Sequence, residues 1–238
     1  MSGIQNVLIP LWWVAVVALV VWIFRRKARK KREAQEHYAQ LRSLAESRGW
    51  SYEGVAPGVV EAYQGAAPLP VTARGLAGEH VVDGTHRGLR FRAFEYRYST
   101  TDIDPDSTDT TTVTIHAFWA LDLGIEVPDL RIYRDGRFDS VSRGRAMEVG
   151  VPQLDQDFHI VSQDEERARA VLIGGLANFL TSDPRATEMP LRLHDGQLIT
   201  WRERTALNSE SFDAPLEYLL DAAGHLGVDS LAHPRQTP

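Results

Sequence analysis

The chain has 238 residues, with 26 basic and 32 acidic side chains for a net charge of −6, and 43% of it is hydrophobic. That is enough to bury a sizeable core, while the acidic balance disfavours nucleic-acid partners. The absence of cysteine excludes disulfides, thiol catalysis and cysteine-ligated metal centres.

Residues 7–24 carry no charge. At about 1.5 Å per helical residue they rise roughly 27 Å, close to the hydrocarbon thickness of a bilayer, and they read as a transmembrane helix. Trp12 and Trp13 near one end and Trp22 near the other stand where amphipathic rings favour the interface, and Pro10 falls in the first turn, where a missing N–H costs little. Arg25, Arg26, Lys27, Arg29, Lys30, Lys31 and Arg32 follow at once. A signal peptide would place positive charge before its apolar run and small residues at a cleavage site, and neither feature is present.

Residues 1–6 are uncharged, so the basic flank is expected to stay in the cytoplasm, with the N-terminus outside and the C-terminal part inside. The flank is also placed to meet anionic lipid headgroups. Residues 33–238 hold the other 19 basic residues and all 32 acidic ones, a net of −13, so this part should be repelled by an anionic membrane. The expected division is a short extracytoplasmic start at 1–6, a span at 7–24, a basic flank and helix at 25–49, a soluble domain at 50–228 and a flexible tail at 229–238.

Along the domain, 33–48 has Tyr38, Leu41, Leu44 and Ala45 at helical spacing before Gly49, which predicts a helix packed on its own domain. A helical turn is expected at 57–63 and loop at 65–70. Strands follow at 79–83, 89–100 and 111–121, with a turn at 84–88. Aromatics on both faces of the long strands predict a sheet whose second side is partly covered by a helix or loop. The loop at 101–110 carries Asp102, Asp104, Asp106 and Asp109, and the first three have calcium-loop spacing. Ser107 and Val113 stand where an EF-hand needs glycine and glutamate, so a solvated turn is the better reading.

Further strands are expected at 130–133 and 158–161. Ser162 and Glu165 make a capping box for a helix to about Leu180, in which Gly174 and Gly175 allow close approach of a neighbour. Leu191 to His194, Asp195-Gly196 and the residues to Arg202 form a strong hairpin signal. A final helix is expected over 214–226, with Asp213 as its cap.

The motifs Arg48-Gly49-Trp50-x-Tyr52, then Gly84-x-x-x-Gly88-x-x-Phe91-x-Ala93-Phe94-x-Tyr96-x-Tyr98, then Leu154-Asp155-x-x-Phe158-x-Ile160 resemble a group of uncharacterised bacterial proteins with one N-terminal membrane helix. The likeness covers most of residues 41–226. It implies a membrane-tethered α+β domain, an antiparallel sheet with packed helices behind a transmembrane helix, and no known functional residues to carry over.

The eight histidines, among them His80, His86 and His116, show no H-E-x-x-H pair, so a metal would have to be assembled by the fold, and neither metal nor cofactor is expected. Nucleophile elbow, Walker loop and dinucleotide fingerprint are missing, which leaves catalytic residues unknown. The expected function is a membrane-anchored binding or scaffolding module whose partners are the lipid bilayer and another membrane-associated protein. Its proposed contact face is Phe94, Tyr96, Tyr98, His116 and Phe118. The alternative is a membrane-tethered, hydrolase-like enzyme with a site gathered from dispersed histidines and carboxylates; His116 with Glu95 or Asp122 could make such a pair, although a histidine on a strand beside Tyr and Trp is more often a packed, hydrogen-bonded residue.

Overall fold

The computed structural model describes residues 5–63, 69, 74–102, 110–134 and 144–226, with the backbone alone at 5–15, at parts of 17–34 and at the strand ends 74–77, 98–102 and 110–112. Helix α1, Gln5–Ser47, runs unbroken for 43 residues, about 65 Å at the usual rise. Its expected apolar and basic halves are therefore one rod. Leu19, Val20, Val21 and Trp22 are 55%, 43%, 45% and 56% exposed, whereas Leu41 and Ala45, within the last two turns of the helix, are buried. Taken over the described residues, no helix is long and apolar enough to cross a membrane. The expected span at 7–24 falls in large part on positions whose side chains lie outside the described residues.

Of the expected interface residues, Trp22, Arg25, Arg26, Arg29 and Arg32 are exposed, and the Arg26 guanidinium lies 5.3 Å over the Trp22 ring. The side chains of Trp12, Trp13, Lys27, Lys30 and Lys31 lie outside the described residues.

The sheet has eight strands: β1 Ser51–Val55, β2 Arg74–His86, β3 Leu89–Asp102, β4 Thr110–Asp122, β5 Leu130–Arg134, β6 Phe158–Ser162, β7 Leu191–His194 and β8 Gln197–Glu203. They are ordered β1-β2-β3-β4-β8-β7-β5-β6, with every neighbouring pair antiparallel. The β7–β8 hairpin forms as the Asp-Gly signal predicts, Asp195 and Gly196 taking φ of 47° and 72°. The β2–β3 turn is tighter than the expected 84–88, because β2 continues through Gly84 to His86. Gly84 serves packing, since a Cβ there would lie 2.3 Å from the Trp50 indole.

One face of the sheet is covered by the end of α1 and by helices α2 Pro152–Asp157, α3 Glu165–Val171, α4 Ala177–Ser182 and α5 Asp213–Gly224. The other is closed by Val59, Val60 and Tyr63, ending in a short 3-10 turn at Glu61–Tyr63, together with Leu69. The cover on the second side is thus a loop segment.

Two helix caps differ from expectation. Asp164, not Ser162, caps α3 by accepting the Arg167 N–H at 3.1 Å, while Ser162 Oγ donates to the Asp129 carbonyl at 2.7 Å. Both are good capping residues, and the bond to the Asp129 carbonyl, at the residue before β5, withdraws the serine. Asp213 lies inside the first turn of α5 and pairs with Arg48 through two hydrogen bonds, joining the residue just after α1 to the last helix. The helix expected to follow Ser162 is divided by a π-helical turn, Leu172–Leu176, in which Gly175 has φ +146°.

Candidate functional site

The sheet is irregular where α1 crosses it. Between Glu79 and Val82 the register of β2 against β3 slips, and His80 takes φ +53°, a conformation uncommon for a residue with a side chain. The slip breaks the two-residue alternation that would send Glu79 and His80 to opposite faces. Both reach Glu95 of β3, and one ligand-type atom from each of the three lies within 4.8 Å of the others. Glu79 and Glu95 stand directly across the ladder from one another.

Each member is held by a residue outside the trio. Glu95 is fully buried, accepts the Leu207 N–H at 2.7 Å on one oxygen and accepts the Tyr38 hydroxyl at 3.1 Å on the other. Arg97 pairs with Glu79 at 2.9 Å. His80 is stacked under the Tyr38 ring, with centroids 3.4 Å apart, and its Nδ1 is 2.7 Å from the Tyr52 hydroxyl. His37 Nε2 donates to the Leu207 carbonyl at 2.9 Å, so α1 also fixes the segment that supplies the backbone N–H to Glu95.

Burial sets the electrostatics. It pushes the Glu95 carboxyl above its ordinary value, against the two hydrogen bonds that favour the charged form. It lowers His80 to about 4, with Arg97, His37 and Arg42 adding to the effect. It raises the Tyr38 phenol, and the Glu95 charge raises it further. The result is a neutral imidazole beside a buried carboxyl group, a combination suited to moving a proton or to holding a cation.

No sequence motif marks Glu79, Tyr38 shows only as part of a helical apolar stripe and Tyr52 only as part of the Arg48-Gly49-Trp50-x-Tyr52 pattern, while His80 and Glu95 stand fifteen positions apart. A bulge leaves no mark in a hydrophobic pattern.

The acid/base pair that His116 could make with Glu95 does not form, and the favoured reading of His116 as a packed strand residue fits its surroundings. Glu95 is opposite Ala117 in the β3–β4 register, so His116 faces the other side of the sheet, where it stacks on Tyr96 with centroids 4.8 Å apart. Burial, with a smaller effect of Arg204, lowers His116 to about 4. His86 is six residues along β2 and bonds to Glu217 of α5 at 2.9 Å.

The expected contact face is also corrected. Phe94, Tyr96 and Phe118 are fully buried and His116 nearly so, because the 59–63 segment and Leu69 seal that side, with Tyr63 packed on Phe94 and Phe118. The side chains of Tyr98 and Asp102, and the acidic loop with Asp104, Asp106 and Asp109, lie outside the described residues, although the Asp102 backbone ends β3 opposite Thr110.

A separate cavity of about 600 Å³ is lined by Ser51, Tyr63, Asp83, Arg90, Arg92 and Asp122. Its charges are engaged with one another, Arg90 with Asp122 at 2.6 Å and Arg92 with Asp83 at 2.7 Å, so the unusual chemistry belongs to the Glu95 cluster instead.

The molecule is an α+β protein with an eight-stranded antiparallel sheet behind a long N-terminal helix. No family model and no curated protein matches its sequence. Among solved structures it is similar to the mycobacterial trehalose monomycolate transport factor A, TtfA, with a TM-score of 0.55 over 84% of this chain and 97% of that one, at 15% sequence identity. At that identity the likeness is one of fold.

Proposed function

We propose that this chain is a single-pass membrane protein whose α+β domain stands at the cytosolic face as a binding module, an accessory to a process within the membrane. The observation that carries the reading is the exposure of Leu19, Val20, Val21 and Trp22 on α1. Four consecutive residues turn through the whole circumference of a helix, so apolar surface faces outward on every side, as a lipid-embedded rod requires. Arg25, Arg26, Arg29 and Arg32 then mark the headgroup level, and the unbroken helix carries the domain about 33 Å farther to Ser47. The fold likeness to a protein named as a transport factor supports an accessory role in membrane transport. Binding must use a surface other than the sealed aromatic face.

Proximity labelling from the C-terminus in the native cell tests this, with a chain lacking residues 1–24 as control. Membrane proteins should dominate the neighbours of the full chain and vanish from those of the control. Indistinguishable neighbour sets would remove the basis of the proposal. The enzymatic alternative draws on one observation, the meeting of His80 with Glu95. It predicts a turnover lost in Glu95→Gln, whereas a pure binding module keeps its neighbours in that variant.

A further inference from the structure

We propose that Glu79, His80 and Glu95 form a binding site for a divalent transition-metal ion, at the joint between the tether helix and the sheet. The site is independent of the binding-module reading and stands or fails separately from it.

The donor set is one imidazole and two carboxylates, three protein ligands of the types that zinc and its neighbours take, and a four-coordinate ion would take its remaining ligand from water or an exogenous group. Their atoms lie within 4.8 Å of one another. Metal–ligand bonds of roughly 2.0–2.2 Å need donor atoms about 3.3 Å apart, so the closure asked of the longest pair is about 1.5 Å. Rotation about the glutamate χ angles supplies a movement of that size without shifting the strands.

Two independent features of the surroundings point to a cation. The first is the placement of Glu79 directly across from Glu95, since like charges opposite each other on a ladder are destabilising. Arg97 contacts Glu79, while among the described residues Glu95 accepts hydrogen bonds from the uncharged Tyr38 hydroxyl and Leu207 amide. A divalent ion between the carboxylates would neutralise both. The second is the outer set of contacts. Metal-binding histidines generally engage their second nitrogen with a fixed partner, and ligating carboxylates are themselves hydrogen-bonded. Here Tyr52 engages Nδ1 of His80, leaving Nε2 for the lone pair when Nδ1 carries the proton. Glu95 accepts only one bond on each oxygen, so each retains a lone pair. Tyr38 reaches the site from α1, so an ion held here would tighten the tether against the sheet.

The experiment uses the full chain in detergent micelles, stripped with EDTA and titrated with Zn²⁺ by calorimetry, with thermal unfolding followed in parallel. One saturable site is expected, with a rise in Tm on adding metal. Glu79→Gln and His80→Gln should each weaken Zn²⁺ binding at least tenfold. Glu217→Gln, which alters the separate His86 pair, should leave it unchanged. Mg²⁺ at millimolar concentration should not displace Zn²⁺, because an imidazole donor favours the transition metal. Glu79 is only partly buried, so Glu79→Gln reports on binding even where a core change such as Glu95→Gln disturbs folding. Failure of the unaltered chain to bind Zn²⁺ saturably would overturn the proposal, as would unweakened binding in Glu79→Gln and His80→Gln.

Discussion

Single side chains carry the connection between helix and sheet. Tyr38 donates to the buried Glu95 and stacks on His80, so Tyr38→Phe keeps the ring contact and removes only the hydroxyl. A hydrogen bond to a charged group contributes about 1.5–3 kcal/mol, and the Leu207 N–H still serves the other oxygen. The expected outcome is a loss of about 1–2 kcal/mol in urea unfolding at neutral pH. No change would mean that water substitutes for the phenol at no cost. His116 makes a prediction of opposite chemical character. Burial lowers its folded pKa to about 4, below the ordinary value of 6.5, so the unfolded chain binds the extra proton first as pH falls. The stability contributed by keeping this ring neutral is complete above about pH 6.5 and is lost between there and about 4. His80 has the same sign, while Glu95, shifted upward, opposes both. Comparing His116→Asn with the parent isolates the His116 contribution: unfolding midpoints at pH 7 and pH 5 should differ less in the variant. Equal pH dependence would show that His116 does not titrate in that window.

At the scale of elements, short irregularities position the long regular pieces. The π-helical turn between α3 and α4 brings Gly175 against the carbonyl oxygen of His225, which follows α5. A Cβ there would lie 2.8 Å from that oxygen, and φ +146° suits only glycine. Gly175→Ala should therefore destabilise the fold by about 1–3 kcal/mol, read as a lower denaturant midpoint with an unchanged slope. An unaltered midpoint would show that α5 shifts freely. The contact between tether and domain is tested by Leu41→Ala. Leu41 is fully buried, so its truncation should cost about 2–5 kcal/mol. If the end of α1 were an independent rod, the domain's unfolding would not respond.

For the molecule as a whole, charge and hydropathy are segregated along the chain. The apolar run comes first, then a collar with seven basic residues, then a body of net −13. The proposed topology makes a direct prediction: protease added to intact cells should leave the C-terminus undigested, and protease added to inverted membrane vesicles should remove the domain. Digestion in the intact cells would reverse the orientation. The collar and the acidic body cooperate in this arrangement, one attracted to anionic lipid and the other kept away from it.

Much of the architecture is local in origin and could be read before any contact was seen. The β7–β8 hairpin follows from Asp195-Gly196, the long β3 and β4 from their alternating pattern, and the two-sided aromatic distribution from a sheet covered on both faces. These features depend on neighbours in sequence, and period and turn chemistry are properties of such neighbours. The cap of α3 was less legible, because Ser162 and Asp164 are both suitable and only a bond to the Asp129 carbonyl, just ahead of β5, separates them. Of the cluster of Glu79, His80 and Glu95, the last two were legible only as members of a dispersed set of histidines and carboxylates, and neither their meeting nor the part of Glu79 was legible. Its members meet because one strand gains a residue against its partner, while Tyr38 and Leu207 approach from either end of the chain. The sealing of Phe94, Tyr96, His116 and Phe118 was likewise decided by a segment remote in sequence. Strand periodicity, turn chemistry and the order of charge along the chain thus determined by themselves the α+β character of the domain and the acidic body behind a basic collar. Register and long-range packing, which depend on contacts between distant residues, alone decided where its reactive groups stand.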